Sequence, residues 1–348
     1  MRIRTGRVKA GTVAARALAG LLALVLAACG PRPQDTSGPQ PGVVRFSILS
    51  TGSSQAMSQY WTPILADMAK ETGLKIVPYY ASNYTLLVEA LRFKKTDAGW
   101  FSNESGLEAV QRGGGEVFAR SVGVGGVDGY ASVILTRADS PITLERLLRC
   151  DHRLTFGLGD ALSTSGTLAP MTYLFAPRGI DPRACFRQVR SASHMANLFA
   201  VAHGKLDAAT NNTISLKLAA ESGKPEAKAV KVIWTSPLLP ADPIIWRRDL
   251  DPDVKEKLRR FFLTYGQGSS PEAARQRAYL ALVNVGGFRA ADDSHLLPVR
   301  EMEAAEAWLE AKEHGDPARI AAARTALDAI RAQREALEAR TRAPAAAQ

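Results

Sequence analysis

Leu154-Thr155-Phe156-Gly157-Leu158-Gly159-Asp160-Ala161-Leu162-Ser163-Thr164-Ser165-Gly166 is the stretch on which the reading of this chain turns. Leu154 to Leu158 reads as a short buried strand, and the residues from about Gly166 to Phe175 read as a helix, so the stretch is a strand-turn-helix junction. Such a junction favours anions, because the first-turn N–H groups are unpaired and the helix dipole turns its positive end outward. The three consecutive hydroxyls of Ser163, Thr164 and Ser165 add donors that can also accept. They suit an oxyanion carrying both X–O⁻ and X–OH better than lysines, which only donate. The plain structural reading fits the same residues equally well: Ser163 or Ser165 is simply the N-cap, worth about 1 kcal/mol.

Strand and helix signals alternate on both sides of this junction. Val44, Phe46 and Ile48 are spaced by two, and Met57, Trp61, Ile64, Leu65 and Met68 take the helical spacing of three and four until Gly73 stops them. Strands are expected at Leu74 to Tyr80 and Asp97 to Phe101, with helices at Tyr84 to Lys94 and Ser105 to Arg112. Tyr130 to Thr136 is a strand-like run that carries the chain into a second series: a helix around Leu144 to Leu148, the junction itself, a strand at Phe186 to Arg190, a helix at Met195 to His203, a strand at Ala208 to Thr210, a helix from Thr213 to Ala220 and a strand at Val230 to Trp234. The stretch Ser236 to Trp246 returns the chain. This order predicts an α/β protein of two lobes, each a parallel sheet covered by helices, joined by two crossings. The expected boundaries are 43–131 with 236–300 for lobe one and 132–235 for lobe two.

The ends differ in kind. Arg2, Arg4, Arg7, Lys9 and Arg16 precede the apolar run Ala17 to Leu26, which is short for a membrane span, and Leu26-Ala27-Ala28-Cys29 resembles a bacterial lipobox. Residues 1–28 are therefore expected to be a lipoprotein signal peptide and Cys29 the acylated N-terminus, with 29–42 a flexible tether rich in Pro and Gly. Removing the five basic residues of that leader lowers the net charge from +10 to 10 − 5 = +5. The rest is spread without a basic run interleaved with aromatics, which argues against nucleic acid. From 301 to 348 the chain is rich in Ala, Arg and Glu, and Ile320, Ala323, Leu327, Ile330 and Leu337 form one narrow apolar seam. It can pack on its own lobe or pair with a second copy as a homodimer.

Cys150 sits four residues before Leu154-Thr155-Phe156-Gly157 and Cys185 four before Val189-Arg190-Ser191, so both would lie at the entry ends of strands that can be parallel neighbours. A disulfide and two buried free thiols both fit, in a compartment that permits the first. The five histidines, His152, His194, His203, His295 and His314, show no metal-ligand spacing, so no metal or cofactor is expected.

The chain resembles the periplasmic phosphonate-binding family of ABC importers from about Arg45 to Arg300. The resemblance is carried by Y-W-T-P-I-L at Tyr60 to Leu65, L-R-F-K-K-T-D-A-G-W at Leu91 to Trp100, D-G-Y at Asp128 to Tyr130, the junction from Leu154 to Gly166, S-H-M-A-N-L-F-A-V-A-H-G-K-L-D-A-A-T-N-N-T at Ser193 to Thr213, and K-V-I-W-T-S-P-L-L-P-A-D-P-I-I-W-R at Lys231 to Arg247. It implies a type II periplasmic-binding fold that closes on a small phosphonate, phosphite or similar oxyanion and docks at the extracytoplasmic face on the permease of an importer driven by ATPase subunits. It also implies that Ser163, Thr164 and Ser165 hold the oxyanion, with His194 beside them, the phenols of Tyr84 and Tyr130 donating, and Asp242 as an acidic cleft residue. The sequence departs from the aminoalkylphosphonate-binding members after N-N-T, where Ile214 replaces a carboxylate. An ammonium group would be left underpaired there at a cost of several kcal/mol, so weak binding of 2-aminoethylphosphonate is expected. A hydrolase triad of Ser163 or Ser165, His194 and Asp207 lacks a G-x-S-x-G elbow, and no catalysis is expected. A receptor or sensor for phosphate, phosphite or sulfonate on the same fold is the alternative.

Overall fold

The computed structural model describes residues 42–49 and 51–342. The leader 1–28, Cys29, the tether up to residue 41 and the last six residues lie outside the described residues.

Two sheets organise the chain. β1 (Val43–Ile48), β2 (Lys75–Tyr80), β3 (Ala98–Trp100) and β4 (Gly115–Gly123) form one with two strands from much later in the sequence. β5 (Ser132–Arg137), β6 (Thr155–Leu158), β7 (Gln188–Ser191), β8 (Ala208–Asn212) and β9 (Val230–Thr235) form the other, and β10 (Pro243–Arg247) and β11 (Val285–Ala290) return to the first. The orders are β11-β4-β10-β3-β1-β2 and β7-β6-β8-β5-β9.

Neither sheet is purely parallel, which corrects the expectation. β1 runs parallel to β2 and β3, and β6 to β7 and β8, but β10 is antiparallel to both β3 and β4, and β5 to both β8 and β9. The crossings explain this: a strand formed just after the chain changes lobes enters from the cleft side, against the direction of strands that end there. β4 has no two-residue alternation in its pattern because most of it is buried between the helix Asn103–Arg112 and the opposite face.

Each sheet has its own aromatic core. In the first, the Phe118 and Trp246 rings stack with centroids 3.8 Å apart, and Phe262 and Phe46 pack beside them. The helix Ser54–Thr72 contributes Trp61, Ile64 and Met68, and ends on Gly73 at φ 67°. In the second, Phe156, Phe175 and Phe186 form a three-ring cluster. Cys150 and Cys185 are bonded next to it, with Cα atoms 4.2 Å apart, ahead of the parallel pair β6 and β7.

The crossings, 124–131 and 236–242, hold each other. Tyr130 N–H donates to Leu239 O (3.1 Å) and Leu239 N–H to Tyr130 O (2.7 Å). Gly129 makes this approach feasible, since a Cβ there would stand 2.2 Å from Leu239 O.

The C-terminal residues fold as two helices, Leu297–His314 and Pro317–Arg342, packed on each other. Leu327 in the seam is fully buried, and Ile320, Ala323, Ile330 and Leu337 are half-buried, so the seam is covered within its own chain. Val299 and Met302 on the first helix pack in one cluster with Leu107 from the first lobe and Leu168 and Ala169 from the second. Among the described residues no helix is long and apolar enough to cross a membrane.

Candidate functional site

A cavity of about 80 Å³ lies between the lobes, roughly five times the space one water needs. Its lining reflects how the chain turns. Tyr84 opens the helix Tyr84–Arg92, Ser102 caps Asn103–Arg112, Ser163 caps the turn beginning at Thr164, His194 opens His194–Ala202, and Asn212 caps Thr213–Glu221. Five helical segments thus begin at one small space, and their dipoles turn positive ends toward it. No lysine or arginine lines it among the described residues.

The junction that opened the sequence reading has a specific local cause. Gly159 and Gly166 meet backbone to backbone, with Gly159 N–H donating to Gly166 O (2.8 Å), and a Cβ on Gly166 would come within 2.7 Å of Gly159 Cα. The helix after Ser163 begins with π-type turns, Thr164–Leu168 and Met171–Phe175, rather than as a regular α-helix from Gly166.

The hydroxyls are held by donors. Ser163 Oγ accepts from Gly166 N–H (3.0 Å), and Ser165 Oγ accepts from Asn212 Nδ2 (3.3 Å). His194 Nε2 lies 3.5 Å from Ser163 Oγ and 3.3 Å from Ser165 Oγ. Burial lowers the pKa of the imidazole to about 4, so it is neutral at pH 7. Thr164 stands apart from its neighbours: its Oγ1 accepts from Glu104 N–H (2.8 Å) in the other lobe and does not line the cavity.

Two more bonds join the lobes around the rim, Tyr84 N–H to Asp160 Oδ2 (3.1 Å) and Ser102 Oγ–H to Leu162 O (2.9 Å). The first is also a carboxylate at a helix N-terminus.

The hinge side supplies the ionisable group. Asp242 on the second crossing accepts from the Tyr130 phenol on the first (3.3 Å). Loss of solvent pushes its pKa up to about 7, against the pull of Tyr130 and Trp100, which both donate to it. Burial, then the Asp242 charge, pushes both Tyr84 and Tyr130 upward, so both phenols keep their protons. Met57, Ile214, Leu218 and Val283 give the rest of the wall apolar stretches between polar residues such as Thr51, Ser121 and Asn284.

The sequence-named residues Tyr84, Tyr130, Ser163, Ser165, His194 and Asp242 therefore line one cavity, with Thr164 behind it. Asp207 lies elsewhere: its carboxylate accepts from Thr155 N–H and Oγ–H, both at 2.7 Å, and His194 Nδ1 has no hydrogen-bond partner. The triad geometry is absent. Trp100, Ser102 and Asn212 were missed; a polar residue at a strand end just before a helix was the available signal for Ser102 and Asn212.

The model of the family described as ABC transporter, phosphonate, periplasmic substrate-binding protein matches residues 46–296. The chain belongs to this family. It is 41% identical over 264 residues to the phosphonates-binding periplasmic protein of Escherichia coli, covering 76% of each chain. It is 25% identical over 256 residues to the phosphate-import protein PhnD of Mycolicibacterium smegmatis, covering 70% of this chain and 79% of that one. Among solved structures, a binding-protein component of an ABC phosphonate transporter from Pseudomonas aeruginosa superposes with TM-score 0.78 at 37% identity, over 86% of this chain and 97% of that one. PhnD1 from Prochlorococcus marinus, solved with methylphosphonate, shares the fold at TM-score 0.66 and 18% identity, over 76% of this chain and 97% of its own. This phosphonate-binding family member is the extracytoplasmic substrate-binding component of an ABC transporter. Its two sheets and paired crossings are the periplasmic-binding-protein fold.

Proposed function

We propose that the protein captures a small phosphonate lacking an amine, by closing lobe one (43–131 with 236–300) and lobe two (132–235) about the crossings. Ser163 and Ser165 donate to the oxyanion with His194 beside them, Tyr84 donates from the lobe-one side, Tyr130 donates by turning its one proton from Asp242 to the ligand, and Thr164 fastens the lobes through Glu104 N–H. Asp242, when protonated, donates to the anion; when ionised, it accepts from a P–OH group. The single observation behind this reading is a cation-free, hydroxyl-lined cavity on which five helical segments begin. Among the described residues its walls carry no acid besides Asp242, and Ile214 and Leu218 leave an apolar end suited to a short alkyl group. The ligand bridges the lobes, shifts an open-closed equilibrium and leaves chemically unchanged, and the closed form docks on the membrane permease of an importer that ATPase subunits complete.

The test is calorimetry with methylphosphonate, 2-aminoethylphosphonate, phosphite, phosphate and methanesulfonate. Methylphosphonate should bind tighter than the aminoalkyl compound; a tenfold preference for the amine would contradict this reading. Phosphate or phosphite as the tightest ligand would favour the second reading, an inorganic-oxyanion receptor, which the 25% likeness to a phosphate-import protein supports. We also place a lipid anchor at Cys29, tested by palmitate labelling that Cys29→Ala should abolish. Pairing of two copies through the C-terminal helices is tested by sedimentation; with the seam covered in cis, a monomer is expected.

A further inference from the structure

Asn212 is buried at the end of β8, where its side chain does two things at once. Its Oδ1 accepts from Ser215 N–H (2.7 Å), which caps the helix Thr213–Glu221. A backbone N–H can only donate, so the carbonyl end of the amide must face Ser215. The NH₂ end is thereby fixed on the other side, 3.3 Å from Ser165 Oγ at the cavity wall. The cap sets the direction of the bond to the serine. Asn211 adds rigidity: its Oδ1 accepts from Asn212 N–H (2.8 Å), and its Nδ2 donates to His194 O (2.8 Å).

A serine hydroxyl has one proton and two lone pairs. At Ser165 one lone pair takes the Asn212 N–H, and the other near neighbours are His194 Nε2 and the Tyr130 phenol, whose own proton goes to Asp242. If the imidazole donates, both lone pairs are filled and the proton is left for the cavity. If the imidazole accepts, the proton rests on it in the empty site and can turn to an arriving anionic oxygen. Either way the serine meets a ligand as a donor, and the bond it accepts polarises its O–H.

We propose that Asn212 is a positioning residue of the oxyanion site, using the amide orientation fixed by its helix cap to hold the Ser165 hydroxyl as a proton donor to ligand oxygen. This rests on the oxyanion reading above. It extends it by making the Ser163–Ser165 side of the cavity selective for deprotonated oxygens, with any ligand O–H directed to Asp242.

The experiment is a double-mutant cycle on the full chain with methylphosphonate as the probe, read by calorimetry and thermal melting. Asn212→Ser keeps an N-cap of equal rank, so the melting temperature should hold. It removes the amide donor, and affinity should fall about fivefold, the scale of one neutral hydrogen bond. In a Ser165→Ala background the same substitution should change affinity less than about twofold, because its target is gone. Equal losses in both backgrounds, or Asn212→Ser within about twofold of wild type, would overturn the proposal while leaving oxyanion binding intact. Absence of any oxyanion binding by the wild-type protein would overturn both. Asn212→Thr, which also caps, repeats the cycle if the serine variant melts early.

Discussion

The two sides of the cavity solve one electrostatic problem differently. The second lobe offers Ser163, Ser165, His194 and Asn212, all neutral near pH 7, at the starts of helices. The hinge offers Asp242, held between Tyr130 and Trp100 and titrating near pH 7. On the proposed function, the first side would supply affinity without net charge, and the second would make affinity depend on proton concentration and on the charge of the ligand's tail. A site without lysine or arginine lacks a strong long-range pull on competing anions, so selection falls to short-range hydrogen-bond geometry.

Removing the first side should have the largest effect. Ser163→Ala with Ser165→Ala deletes two hydrogen bonds to a charged ligand, and methylphosphonate affinity should fall by about two to four orders of magnitude in calorimetry. Loss of the Ser163 cap adds about 1 kcal/mol of destabilisation, which denaturant titration would read.

Gly166→Ala attacks the same side through its backbone. The added Cβ meets Gly159 Cα at 2.7 Å and Ser163 Oγ at 2.8 Å. Overpacking of this kind costs about 1–3 kcal/mol, and both stability and affinity should drop together.

On the hinge side, Asp242→Asn should change pH dependence more than affinity at acid pH. Asp242 is protonated below about 7 and ionised above it, where it can hold only a ligand that still carries a P–OH proton and repels the fully deprotonated anion. The ratio of wild-type to Asp242→Asn affinity for methylphosphonate should therefore fall as pH rises from about 6 to 8, as ligand and Asp242 together lose the proton they would share. A constant ratio would remove Asp242 from the account.

The smallest expected effect on affinity lies outside the cavity, where stability is what changes. Burial, then the Glu303 charge and hydrogen bond, raises Glu104 to about 8. A carboxyl raised by folding contributes stability in full below its unfolded value near 4.5, and that contribution is lost as pH climbs toward 8. Glu104→Gln should flatten this slope, so its stability relative to wild type should rise with pH.

The junction at Leu154 to Gly166 was legible because strand, glycine turn and hydroxyl cap are local features that coincide within thirteen residues. The lobe-changing segments were also legible, Tyr130 to Thr136 as a strand-like run and Ser236 to Trp246 as a proline-bearing return. The antiparallel placement of β10 between β3 and β4 was not, since register across more than a hundred residues leaves no local pattern. The same applies to the clasps. Thr164 looked like one of three equivalent hydroxyls, and only the approach of Glu104 from the other lobe separates it from Ser163 and Ser165. Tyr84, His194 and Asp242 were reached through family resemblance, because isolated polar residues at helix starts or before proline carry no unique chemistry in sequence.

The central claim is best tested by a crystal structure of the protein with methylphosphonate bound. The account predicts phosphonate oxygens within about 3 Å of both Ser163 Oγ and Ser165 Oγ, with the methyl group toward Ile214 and Leu218. A phosphonate seated away from both hydroxyls, or with its methyl group turned onto them, would contradict it.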